Sequence, residues 1–131
     1  MRTGDPRRGF SLLEMMIVLT IVAILAAIAV PMYQSMIRRA EEAVLKDTLY
    51  TLRSLIDAYT ADKRAAPQTL DDLVEAGYLR EVPEDPITES RTTWVLESGE
   101  AMIPGQITTG IVDVHSGSIG ISSEGTPYSE W

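Results

Sequence analysis

The sequence predicts an α+β fold: a long N-terminal helix packed on a short helix and a small antiparallel sheet near the C-terminus. Three observations carry that reading. Apolar residues run almost unbroken from Met15 to Val30, too far for a strand and long enough for a helix. Beyond them Leu45, Leu49, Leu52, Ile56 and Tyr59 recur in steps of four and three, the spacing of one helical face. From Thr92 onward the chain changes character, with β-branched clusters alternating with glycine-bearing turns. A chain of 131 residues has room for one small domain and an appendage.

The helix is introduced by Arg7-Arg8-Gly9-Phe10-Ser11-Leu12-Leu13-Glu14. A basic stretch before an apolar run marks a signal peptide or a membrane anchor. Secretory signals are cut on the far side of their apolar region. Here the small residue Gly9 lies on the near side, so cleavage at Gly9–Phe10 would remove residues 1–9 and leave the apolar helix in place. Phe10 to Val30 is 21 residues, which as a helix spans about 30 Å, one bilayer crossing. Arg7 and Arg8 precede it, and Arg38 and Arg39 follow it. Charge alone therefore gives only a weak preference for the N-terminus inside, helped by Glu41 and Glu42. Glu14 interrupts the apolar run, where a lone carboxylate costs roughly 2.5–3.5 kcal/mol even on lenient insertion scales. Such a group is expected to have a partner.

The helix should continue to about Lys63, apolar all round in its first half and one-sided in its second. Pro31 has no N–H for the carbonyl of Ala27 and should kink it. That kink is either harmless in a membrane helix or a place where the helix yields as copies pack together. Ala23, Ala26, Ala27 and Ala29 form a small-residue stripe that would let helices approach closely, or are ordinary aliphatic filler. Next, Thr69 reads as an N-cap with Asp72 at the third helical position and Gly77 as terminator, which predicts a short helix over Leu70–Ala76. Pro83 and Pro86 then fix an extended passage. Strands are expected at Thr92–Leu96, Ile111–Val114 and Ile119–Ile121, with turns at Gly99, Pro104-Gly105, Gly110 and Ser116-Gly117. Two or three such strands need the long helix to complete a core.

The leader charge, Gly9, Phe10, Glu14 and the apolar helix together resemble the type III signal of the type IV pilin superfamily. Gly77-Tyr78-Leu79 followed by Pro83-Glu84-Asp85-Pro86 is similar to a passage of the major, G-type pseudopilins of type II secretion systems. The resemblance implies a pilin-like fold divided into a leader (1–9), a transmembrane or filament-core helix (10–30) and a periplasmic domain (31–131). It implies cleavage between Gly9 and Phe10 by a prepilin peptidase, N-methylation of Phe10, and assembly through pairing of Glu14 with the Phe10 amine of a neighbouring subunit. The function implied is that of a structural subunit of a pseudopilus, anchored singly in the bacterial inner membrane with its domain in the periplasm. Its partners would be further copies, other pseudopilins, the peptidase and an inner-membrane assembly platform. A type IV pilin or minor pilin for adhesion, motility or DNA uptake is the alternative, and a membrane-anchored enzyme or binding domain is another.

Major pseudopilins resembling this chain hold calcium in the loop after their last strands. The tail here, Ser116 to Trp131, contains no aspartate. Asp113, Glu124 and Glu130 are the carboxylates available to such an ion, which needs six to eight oxygens. The other reading is a loop held by Ser/Thr–backbone bonds and by packing of Trp131, with no cofactor. His115, the lone histidine, and the absence of cysteine leave no ready ligand set or nucleophile dyad, so catalysis is not indicated. Asp71-Asp72, Glu84-Asp85 and Glu41-Glu42 read as caps or solvated faces. The net charge of −8 argues against nucleic-acid binding.

Overall fold

A single α-helix of 52 residues, α1 (Leu12–Lys63), runs through Pro31 without interruption. The computed structural model describes Gly9 and residues 11–131, so the rest of the leader and Phe10 lie outside the described residues. The chain divides into two compact units between Ile37 and Arg38. In the first, the described residues from Leu12 onward are helix, and from Ser11 to Ile37 all are exposed. The second contains the rest of α1, the helix α2 (Leu70–Glu75), the strands β1 (Val95–Ile103) and β2 (Gln106–His115), and one 3-10 turn at Tyr128–Glu130.

The core of the second unit is the stripe that the sequence announces. Leu45, Leu49, Leu52 and Ile56 are buried together with Leu73 of α2, Trp94, Ile111 and Val114 of β2, and Tyr128. Tyr59 lies at the margin of this cluster, edge-on to Tyr78 with ring centroids 5.7 Å apart. The Trp94 indole N–H donates to the Pro83 carbonyl at 2.8 Å, so its polar end is satisfied inside the core margin. The predicted start of α2 is observed. Thr69 Oγ1 accepts the Asp72 N–H at 3.3 Å, while Asp72 Oδ2 accepts the Thr69 N–H at 3.0 Å. Ala76 is the C-cap and Gly77, at φ +86°, supplies the left-handed residue beyond it.

The sheet departs from expectation. It has two antiparallel strands joined by Pro104-Gly105. The proline ring excludes the mirror-image hairpin turns, and Gly105 at φ +84° fits the third position of a type II turn. β1 begins at Val95, not Thr92, and both strands run past the apolar clusters that suggested them. Gly99 and Gly110, expected at turns, instead face each other across the ladder. Gly110 is needed because the Ala66–Gln68 segment lies against it. A Cβ there would fall 2.7 Å from the Pro67 carbonyl oxygen, and the next residue, Ile111, donates its N–H to that same oxygen at 2.8 Å. Ile119–Ile121 is not a strand. Ile119 is fully exposed and Ile121 makes only an isolated bridge to Pro127, because no neighbouring strand is available to pair with this segment.

Gly117 marks a tighter approach, since a Cβ at this position would sit 1.8 Å from the Thr93 carbonyl oxygen. Backbone on both sides leaves nothing flexible to move. Gly117→Ala is expected to lower the unfolding free energy by about 3 kcal/mol, measured by denaturant titration of the chain in detergent; a loss under about 0.5 kcal/mol, the scale of an ordinary surface change, would show that the approach is absent.

Candidate functional site

The apolar half of α1 is the most chemically unusual surface of the chain. Leu12, Leu19, Leu25 and Ile28 are each more than half exposed, as are most of the aliphatic residues between them. Mean hydropathy reaches 2.7 over an 18-residue window, long and apolar enough for a membrane crossing. Monomeric proteins in water do not leave a patch of this extent uncovered. Lipid, or the same helix of other copies, is the cover its chemistry fits.

Glu14 sits in the first turn of this helix. Its N–H donates to Ser11 Oγ at 3.1 Å, and the Met15 N–H to the Ser11 carbonyl at 3.1 Å, which makes Ser11 the N-cap. Ser11 three residues before Glu14 is a capping-box spacing, a second signal in the motif besides the membrane cost of the carboxylate. The Glu14 side chain is exposed, at the helix end where the backbone dipole favours an anion. Gly9 is also exposed. Phe10, the third residue of the predicted cleavage and assembly motif, lies outside the described residues.

In the second unit, polar anchors hold the tail. Glu42 is buried, contrary to its reading as a solvated residue. Its Oε1 accepts from the Ser123 N–H and the Tyr128 hydroxyl, both at 2.7 Å, and its Oε2 accepts from the Ser123 hydroxyl. Arg38, one turn earlier, donates to the Ile121 carbonyl and pairs with Glu42 at 3.6 Å. Arg53 is a second anchor. It bonds Asp113 Oδ1 at 2.6 Å, the Val114 carbonyl at 2.9 Å and the Trp131 main-chain oxygen at 2.5 Å. Asp85, also read as solvated, is completely buried. It accepts the Ile87 N–H at 2.9 Å through one oxygen and the Ser116 hydroxyl at 2.5 Å through the other. The Pro-x-Asp-Pro passage is thereby stapled to the end of β2.

The three carboxylates considered for calcium do not form one donor set. Asp113 is held by Arg53, while Glu124 pairs with Lys46 at 3.0 Å. Glu130 is exposed. The group that does converge among the described residues is Glu97, Asp113 and His115, which shares only Asp113 with the predicted set. The tail is bonded largely within itself. Ser122 and Thr126 bond each other through side chain and backbone, and the Trp131 indole N–H donates to Thr126 Oγ1 at 2.8 Å. The Trp131 ring packs edge-on against Tyr128 and lies under the Lys46 ammonium. The residues that sequence reasoning missed, Glu42 and Asp85, carry no local signal beyond their neighbours' charge. Each has a local partner, Arg38 or Ile87, but the partners that bury it, Ser123 and Tyr128 or Ser116, lie in distant segments.

Residues 5–30 match the prokaryotic N-terminal methylation motif. That motif, joined to an α+β domain built on the same helix, defines a pilin-like protein. The chain is similar to the type II secretion system core protein G of Klebsiella pneumoniae, at 30% identity over 95% of this chain and 94% of that protein. It is also similar to core protein G of Escherichia coli K12, at 32% identity over 66% of this chain and 70% of that one. The type IV major fimbrial protein FimA of Dichelobacter nodosus is 38% identical, over 46% of this chain and 38% of its own length. No solved structure matches. The chain belongs to the family of type II secretion system core protein G, the major pseudopilins.

Glu42 gives the tail a pH dependence of defined sign. Burial pushes its carboxyl up, but the Ser123 hydroxyl and N–H, the Tyr128 hydroxyl and Arg38 outweigh this and hold it below the ordinary value of 4.5. Its stabilisation is therefore present above that value and is lost as pH falls through the lower folded one. Glu42→Gln is expected to cost about 1–3 kcal/mol at neutral pH. The gap to the parent should narrow at acid pH, as pH falls below 4.5 and through the lower folded value and the parent carboxylate protonates as well. Denaturant midpoints at the two pH values check both expectations.

Proposed function

We propose that the chain is a structural subunit of a type II secretion pseudopilus, polymerising through its N-terminal helix to drive protein export. The observation that carries this reading is a fully exposed apolar helix half that begins with a carboxylate. Neither lipid alone nor water accommodates both features. A neighbouring copy does, if it presents a free amine to Glu14. Prepilin peptidase cutting between Gly9 and Phe10 would create that amine, and N-methylation of Phe10 would leave it basic. An ammonium and a carboxylate, each costly in hydrocarbon, offset one another when paired across two subunits. The contact would also fix the axial stagger between neighbours.

On this reading the chain has no enzymatic task. It would be anchored singly in the inner membrane with residues 31–131 in the periplasm, and would meet other pseudopilins and an inner-membrane assembly platform. A fimbrial pilin is less well supported, because the fimbrial relative matches under half of this chain while a core protein G matches nearly all of it. We also propose that the tail is pinned by Glu42 and Arg53 without calcium. Adding Ca²⁺ to chelator-treated protein should then leave its thermal midpoint unchanged.

Glu14→Gln removes the charge while keeping an N3 side chain that is compatible with the Ser11 cap. It should leave membrane insertion intact and abolish filaments, counted by electron microscopy after overexpression of the secretion genes. Undiminished filaments would remove Glu14 from assembly. Mass spectrometry of the purified subunit should find an N-terminal methylated Phe10.

A further inference from the structure

The strand register brings the only histidine of the chain beside two carboxylates. Glu97 of β1 is paired with Asp113 of β2, next to a bulge at Glu97/Ser98, and His115 follows on the same side of β2. His115 Nε2 lies 3.3 Å from Glu97 Oε2 and 3.5 Å from Asp113 Oδ2. The other ring nitrogen, Nδ1, is 2.8 Å from the Trp131 main-chain oxygen. That oxygen can only accept, and with the hydrogen on Nδ1 the Nε2 lone pair faces the carboxylates. Two things can bridge three electron-rich atoms placed in this way, a hydrogen on Nε2 or a metal ion.

The distances favour the ion. A hydrogen bond from an imidazolium to a carboxylate is about 2.7–2.9 Å long, and both contacts are longer. A tetrahedral ion with bonds of about 2.0–2.1 Å has ligand–ligand edges of about 3.3–3.4 Å, close to the two observed. We propose that His115 Nε2, Glu97 and Asp113 form a site for a divalent transition-metal ion of the Zn²⁺ type at the open end of the hairpin. The surroundings support this. Arg53 and the Val114 N–H both hold Asp113 Oδ1, leaving Oδ2 free. Trp131 fixes the imidazole through Nδ1, the outer hydrogen bond that orients metal-bound histidines. Glu97 is mostly exposed, so its side chain can rotate to close the third edge, now within 4.8 Å, and the fourth position stays open to water. A nitrogen ligand selects Zn²⁺, Cu²⁺ or Ni²⁺ over Ca²⁺ and Mg²⁺. The guanidinium of Arg53 cancels one of the two negative charges, and its Nη2 lies 3.5 Å from Nδ1, on the side away from the ion.

The test uses the full chain in detergent micelles, stripped with chelator and titrated with Zn²⁺, and with Ca²⁺ and Mg²⁺ as controls. Nitrogen NMR of the single imidazole reports the site directly. One equivalent of Zn²⁺ should move Nε2 into the metal-bound range while Nδ1 stays protonated, with no response to Ca²⁺ or Mg²⁺. Glu97→Gln, an exposed change outside the core, should weaken Zn²⁺ by at least the roughly 10–100-fold lost with an outer-sphere partner. His115→Gln should remove the bound equivalent. The proposal fails if the ring nitrogens respond to pH alone, or if either variant binds Zn²⁺ as tightly as the parent.

Discussion

A two-stranded hairpin does not hold together in water by itself, so the second unit depends on the apolar face that α1 lends it. Leu45, Leu49, Leu52 and Ile56 form one wall, and Ile111, Val114, Leu73, Trp94 and Tyr128 the other. Each aliphatic side chain buried here contributes about 1.5–3 kcal/mol. With no disulfide among its elements, this contact is the source of the unit's cohesion. Everything else in the domain is placed by it: the hairpin lies where Ile111 and Val114 meet the stripe, and α2 where Leu73 does.

The tail has almost no regular structure to satisfy its backbone, so side chains do so. Glu42 and Arg53, on the helix, reach across sixty or more positions of sequence to Ser123, Tyr128, Asp113 and Trp131. Asp85 ties the proline-rich passage to Ser116 in the same manner. Among the described residues no buried side-chain nitrogen or oxygen lacks a partner. A carboxylate buried with three donors is a stable anchor, whereas the same carboxylate left unpaired would be a liability. The irregular tail therefore has one defined course, set by charges that belong to the helix.

The two stretches of α1 present different surfaces. Up to Ala40 every described residue of the helix is exposed, and burial begins at Glu42. One helical geometry serves both because an α-helix satisfies its own backbone in lipid or in water. Side chains alone then decide which medium each stretch suits. In the first, aliphatic residues leave Glu14 as the only acidic group. In the second, charge returns, on the faces away from the core except at the buried Glu42. A subunit assembled through the first stretch and folded around the second fits the family to which the chain belongs.

The features legible in the sequence are those whose causes are local. The length of α1, its stripe, the Thr69–Asp72 cap, the Pro104-Gly105 turn and the contiguous Gly9-Phe10-Glu14 motif all depend on residues within a few positions of one another. The rest depended on partners far along the chain. Gly99 and Gly110 look like turn residues until the ladder sets them opposite each other and the Ala66–Gln68 segment lies against Gly110. Ile119–Ile121 has strand composition but no strand to pair with. Glu42 and Asp85 resemble any surface acid until Ser123, Tyr128 and Ser116 surround them. His115 reads as solitary until the register and its bulge bring Glu97 alongside. Composition and spacing thus determined the helix, its apolar and one-sided halves and the N-terminal methylation motif, because helical periodicity and solvation act residue by residue. Only the tertiary structure decided which charges are buried and which side chains meet across the hairpin, because desolvation and pairing exist only once distant segments touch.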